Sequence, residues 1–186
     1  MVELQHFDDC TAATLFGYST TSSYYSNYGT FYGCSSLTSI PEGLFDNNTA
    51  ATSFGGTFYG CSALTSVPDG LFTYNTAVTN FQYLFYGCSS LESIPQDLFA
   101  YNTKVTTFHS TFRNCTSLSP VVYIGTESLT SKAYAAYFAY NCKETAVIYV
   151  KNSTISGYFS NASSSNISVT VPDDWDEAIS ALSSST

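Results

Sequence analysis

Apolar and polar positions along this chain follow a pattern that returns on itself. Residues 34–60, 61–87 and 88–114 align without gaps as "CSSLTSIPEGLFDNNTAATSFGGTFYG", "CSALTSVPDGLFTYNTAVTNFQYLFYG" and "CSSLESIPQDLFAYNTKVTTFHSTFRN". A fourth unit starts at Cys115 and drifts until Cys142, again 27 residues on, whereas Cys10 precedes Cys34 by only 24. A fixed period of this size marks a stack of units, none of which can bury its apolar face alone.

Within a unit the order of columns predicts the elements. Leu37, Leu64, Leu91 and Leu118 stand three residues after a cysteine, and Ile40, Val67 and Ile94 three further on. This short apolar run reads as a strand, closed by Pro41, Pro68 and Pro95, which have no amide to donate. "PEG", "PDG" and "PQD" then read as turns. Asn48, Asn75 and Asn102 follow, each before a Thr, a residue choice that suits the capping of unpaired backbone groups. Val78, Phe81 and Phe85 fall at i, i+3 and i+7, which predicts a short helix, stopped by Gly87 as by Gly60 and Gly33 in their units. The expected fold is an α/β solenoid with 27-residue coils of strand, turn and helix. Residues 1–33 are expected to be an atypical or truncated first repeat and 34–146 the array. Residues 147–186 are a last repeat with a capping helix. In that helix Trp175, Ile179 and Leu182 form an apolar stripe suited to covering the open end, and Asp173 and Asp174 suit its positive N-terminal end.

The phrase F-x-G-C-S-S-L-x-S-I followed by proline is matched at 31–41, 58–68 and 85–95, and more weakly at 112–118. In this the chain resembles the BspA-like leucine-rich repeat surface proteins of host-associated bacteria and some protist parasites. The resemblance implies a right-handed leucine-rich repeat solenoid with short parallel strands on its concave side and short helices on its convex side. It also implies a cell-surface or secreted location and adhesion to host or neighbouring molecules. The 27-residue period is longer than the family's commonest unit, and the extra residues lie between the proline and the expected helix.

Composition narrows the partners. Charged residues make up 10% of the 186 and aromatic ones 17%, so a packed core is available and disorder is not expected. With five basic residues and a net charge of −9, the chain lacks the clustered cations that nucleic acid requires. No apolar run reaches the roughly 20 residues of a membrane helix, so no membrane insertion is expected in this segment. "MVELQHFDDC" has neither a basic start nor an apolar stretch, so no signal peptide is read here. With the extracellular or cell-surface location implied above, the expectation is a fragment or processed form of an exported protein.

Five of the six cysteines occupy one column, so their side chains should point the same way, into the interior. A disulfide needs facing geometry, so Cys34, Cys61, Cys88 and Cys115 are expected as free thiols in a structural core with Leu37, Leu64, Leu91 and Leu118. No C-x-x-C pair exists, and His6 and His109 stand far from any cysteine pair, so no metal or other cofactor is expected. A cysteine present in every coil is a poor single nucleophile, and no enzyme is expected. Tyr32, Tyr59 and Tyr86 form a column beside the cysteines. Tyrosine offers an apolar plate with a polar tip, so this column either touches a ligand or is partly buried between coils. The functions expected are a non-enzymatic binding module for a protein or glycan or, as the alternative, a structural spacer or stalk.

Overall fold

A computed structural model describes Phe16, residues 29–160 and residues 167–183. Cys10, and with it most of the expected first repeat, lies outside the described residues. The 27-residue units lie side by side and are joined through their backbones. Phe54, Gly56, Phe58 and Gly60 donate to the carbonyls of Asn80, Gln82, Leu84 and Tyr86, and Phe81, Tyr83, Phe85 and Gly87 to those of Thr107, His109, Thr111 and Arg113, all at 2.7–3.1 Å. On the other side of the unit Thr65 donates to Thr38 and Glu92 to Thr65, and the expected strand shortens to a parallel bridge between Ser66 and Ser93.

The short helix expected over Val78, Phe81 and Phe85 is absent, and this stretch runs as consecutive turns. The reason lies in the amides. Alternate N–H groups leave for the next unit, while those between them, such as Leu84 to Phe81 and Tyr86 to Tyr83, close three-residue turns. An α-helix needs every amide for its own i−4 carbonyl. The apolar positions keep their role all the same, since Val78, Phe81 and Phe85 are fully buried.

The interior is built from columns. Phe31, Phe58, Phe85 and Phe112 stack face to face, with centroids 5.3–5.6 Å apart. Phe45, Phe72 and Phe99 form a second column at 5.9 and 6.3 Å. Phe54, Phe81 and Phe108 form a third at 6.1 and 5.9 Å. The cysteines run beside them. Cys61, Cys88, Cys115 and Cys142 each donate through Sγ to the carbonyl 30 residues earlier, of Phe31, Phe58, Phe85 and Phe112, at 3.0–3.2 Å. The five described cysteines are free. Cys61, Cys88, Cys115, Leu64, Leu91 and Leu118 are fully buried. Cys34 is exposed and Leu37 only partly buried, which corrects their placement in the core. Each opens its column, so among the described residues its own column supplies a neighbour on one side only.

The buried asparagines form a ladder. Asn75 Nδ2 donates to the carbonyls of Phe45 and Asn48, and Asn102 Nδ2 to those of Phe72 and Asn75, at 2.9–3.1 Å. One amide thus holds two carbonyls of the unit before it, while the side-chain oxygens of Asn75 and Asn102 are buried without a hydrogen-bond partner.

The array closes with regular elements. Strands β1 (Val121–Ile124), β2 (Ala146–Val150) and β3 (Ile167–Thr170) form a parallel sheet in that order. A 3-10 turn occupies Lys132–Tyr134. Helix α1 (Ser153–Ser160) buries Ile155 and Phe159. Phe159 sits edge-on to Phe138 at 5.4 Å and lies 6.3 Å from Phe108. It is therefore α1 that covers the end of the phenylalanine columns. Helix α2 (Trp175–Ser183), expected in that role, instead lies along the flank. Trp175 meets the edge of Tyr123 at 5.7 Å, and α2 shares a groove of about 580 Å³ with Thr73 and Tyr101 of two earlier units. Strand β3 follows β2 at a shorter offset than β2 follows β1, and the sheet ends before another full unit is laid down.

Candidate functional site

The tyrosines expected as ligand contacts occupy one surface column. Tyr32 and Tyr59 stack with centroids 4.8 Å apart, and Tyr59 and Tyr86 at 4.5 Å with rings 6° from parallel. Tyr32 is 38% exposed, whereas Tyr59 and Tyr86 are half-buried between neighbours. The faces of these rings are occupied by one another, so the column offers edges and hydroxyls. Burial and the adjacent phenols of Tyr86 and Tyr32 push the Tyr59 hydroxyl up to about 12.

What keeps the column straight is the residue after each tyrosine. Gly33, Gly60 and Gly87 have φ of 71°, 71° and 73°, and in the next two units Asn114 and Asn141 take the same left-handed conformation at 64° and 61°. Asparagine is among the few non-glycine residues that enter this region readily. The pair also ties the column together, since Asn141 Nδ2 donates to Asn114 Oδ1 and Asn114 Nδ2 to the Tyr86 hydroxyl, each at 3.1 Å.

The column does not stop at Tyr86. Two residues before Cys115 and Cys142 stand Arg113 and Tyr140. The Arg113 guanidinium carbon lies 5.8 Å from the Tyr86 ring centroid, 5.1 Å from Tyr140 and 4.8 Å from Tyr137. A second row runs alongside, in which Tyr83 and Tyr137 flank the His109 ring at 5.3 and 5.8 Å. The result is a ribbon of tyrosine, histidine and arginine along one surface. Sequence reading missed Arg113 and Tyr140, although the cysteine spacing carried the signal for both. The row of Tyr83, His109 and Tyr137 carried no such signal, because its members do not share one column.

The groove beneath α2 is a second concavity, with Lys151 Nζ 5.7 Å from the Trp175 ring and 3.8 Å from Glu127 Oε1. Burial pushes the Cys61 and Cys142 thiols up to about 12 and raises Cys88 and Cys115 further, which leaves them protonated and unreactive at neutral pH. Among the described residues no group of His, Cys, Asp and Glu could hold a metal ion, and no helix is long and apolar enough to cross a membrane. Compared with known proteins, the chain matches no family model, no curated protein and no solved structure.

Proposed function

We propose that this chain is a right-handed leucine-rich repeat solenoid of the BspA-like kind and acts as a non-enzymatic binding module for a protein or glycan, exposed at a cell surface or secreted. The observation that supports this reading is the aromatic ribbon. It runs across five units from Tyr32 to Tyr140, with Arg113 in the tyrosine place of the fourth. Stacked rings with aligned hydroxyls form a rigid contact strip that loses little entropy on binding. With five basic residues in the chain, binding should vary little with salt over most of the strip.

The test is a panel of extracellular-matrix proteins and glycans probed with the wild type and with Tyr32, Tyr59 and Tyr86 all changed to Phe. This variant keeps the stack and removes the hydroxyls. The expected result is binding by the wild type and a marked loss in the variant at unchanged melting temperature. A second reading, a spacer or stalk, draws support from the ring faces being spent on one another. A wild type that binds nothing in the panel decides for it.

A further inference from the structure

Residues 88–114 interrupt the tyrosine pattern. In the columns where the preceding unit has Tyr83 and Tyr86 and the following one Tyr137 and Tyr140, this unit has Ser110 and Arg113. The outcome is a slot one unit wide, walled by two tyrosines on each side. The His109 ring stands within it, between Tyr83 and Tyr137. The Arg113 guanidinium stands beside it, between Tyr86 and the pair Tyr137 and Tyr140.

Three polar atoms in this slot are buried without a hydrogen-bond partner: His109 Nδ1, Ser110 Oγ and Arg113 Nε. Buried polar atoms are nearly always paired, and three exceptions within five residues mark a place where a partner is wanting. Arg113 is the chain's one arginine, and among the described residues it enters no ion pair. The backbone here keeps the left-handed turn that recurs at this place of each unit, with φ of 57° at Tyr83, Ser110 and Tyr137 and 67° at Gly56.

We propose that this slot binds the carboxylate of an acidic sugar at the end of a glycan chain. The proposal rests on the binding-module reading and names the ligand class for one part of its ribbon. A planar guanidinium with no acidic partner suits a carboxylate, which it can hold through two parallel N–H bonds. Arg113 lies over the Tyr86, Tyr137 and Tyr140 rings, so a sugar whose carboxylate meets the guanidinium would touch the edges and hydroxyls of these tyrosines. Tyr140, 40% exposed, supplies the outermost wall. The net charge of −9 repels a polyanion from a distance, which favours a sugar chain with one terminal charge over a densely sulfated one. Burial and the Arg113 charge hold the His109 ring below its ordinary pKa, so at neutral pH it offers a hydrogen bond and Arg113 supplies the charge.

The experiment is isothermal titration of the whole chain with three matched trisaccharides: one ending in glucuronic acid, one in glucose and one in glucose 6-sulfate. The glucuronate form is expected to bind about tenfold more tightly than the glucose form, the scale of one charge-assisted pair. Arg113→Gln should erase that preference. Tyr140→Ala, at an exposed position, should weaken glucuronate binding several-fold, and it serves as the test if Arg113→Gln lowers the melting temperature. Equal affinity for all three, a preference for the sulfate, or a preference that survives Arg113→Gln would each overturn the slot. Binding of neutral glycans or proteins without regard to acid removes the slot and leaves the binding module standing. No binding to any saccharide or protein removes both.

Discussion

Cys34 and Cys61 hold equivalent places in the repeat and live in opposite surroundings. Cys34 is exposed, whereas Cys61 is fully buried with Sγ 3.1 Å from the Phe31 carbonyl. A thiol reagent is therefore expected to modify Cys34 in the native protein and to reach Cys61, Cys88 and Cys115 only after unfolding. Peptide mapping by mass spectrometry of native and urea-treated samples checks this; native labelling of Cys88 would mean that the column is misplaced. The asparagine ladder gives a sharper test. Asn75 points an NH₂ group at two carbonyl oxygens, and both carbonyls also accept a backbone amide, from Asn48 and Ala51. Asn75→Ala should accordingly cost about 1–3 kcal/mol. Asn75→Asp replaces the donor with a buried acceptor facing acceptors and should cost more. Urea unfolding of the two variants ranks them, and a milder effect for Asp would refute the assigned amide orientation.

At the scale of the element, the left-handed column is the clearest case of conformation choosing the residue. A Cβ on Gly87 would meet the Gly60 Cα at 3.8 Å, ordinary contact, so space does not demand glycine there; φ of 73° does. Gly87→Asn is expected to cost less than about 1 kcal/mol, because Asn114 and Asn141 already occupy the equivalent place, while Gly87→Ala should cost about 1–2 kcal/mol. Thermal melts of the pair decide it, and equal losses would sink the argument. The columns of cysteine, leucine and asparagine could be read from the sequence because the same chemistry recurs at the same interval. The helix was misread because its apolar spacing is shared by stacked turns, and nothing in a single unit tells an amide bonded within its segment from one bonded to a neighbour. Tyr83, Ser110 and Tyr137 were illegible for another reason: their left-handed backbone falls in a column where Gly56 is the one glycine among four such residues. The slot around Arg113 depends on these three, so the site was only half visible in the sequence.

Across the whole molecule, stacking like groups upon like couples stability to alkaline pH. Folding raises the Tyr59 hydroxyl from 10.0 to about 12 and the Cys61 and Cys142 thiols from 9.0 to about 12, with burial the leading cause in each. These groups stay protonated in the native state at a pH where the unfolded chain releases its protons. Their contribution is full below about pH 9 and declines as pH rises toward 12. Melting temperatures measured between pH 7 and 11 are expected to hold level at first and then fall, and Tyr59→Phe should lessen the fall. A melting temperature that does not change up to pH 11 would contradict the burial described. The unit-to-unit hydrogen bonds carry a different kind of consequence. Most join positions 26, 27 or 30 residues apart, so each unit meets its neighbours through the same set of groups. A gene that copies or loses one whole 27-residue segment would leave every remaining joint intact and change only the reach of the protein, by about 5 Å per segment. An insertion of one residue fewer or more would break the register of every column it crosses. Length in this protein can therefore vary by recombination in whole steps, with each step passing through a foldable chain.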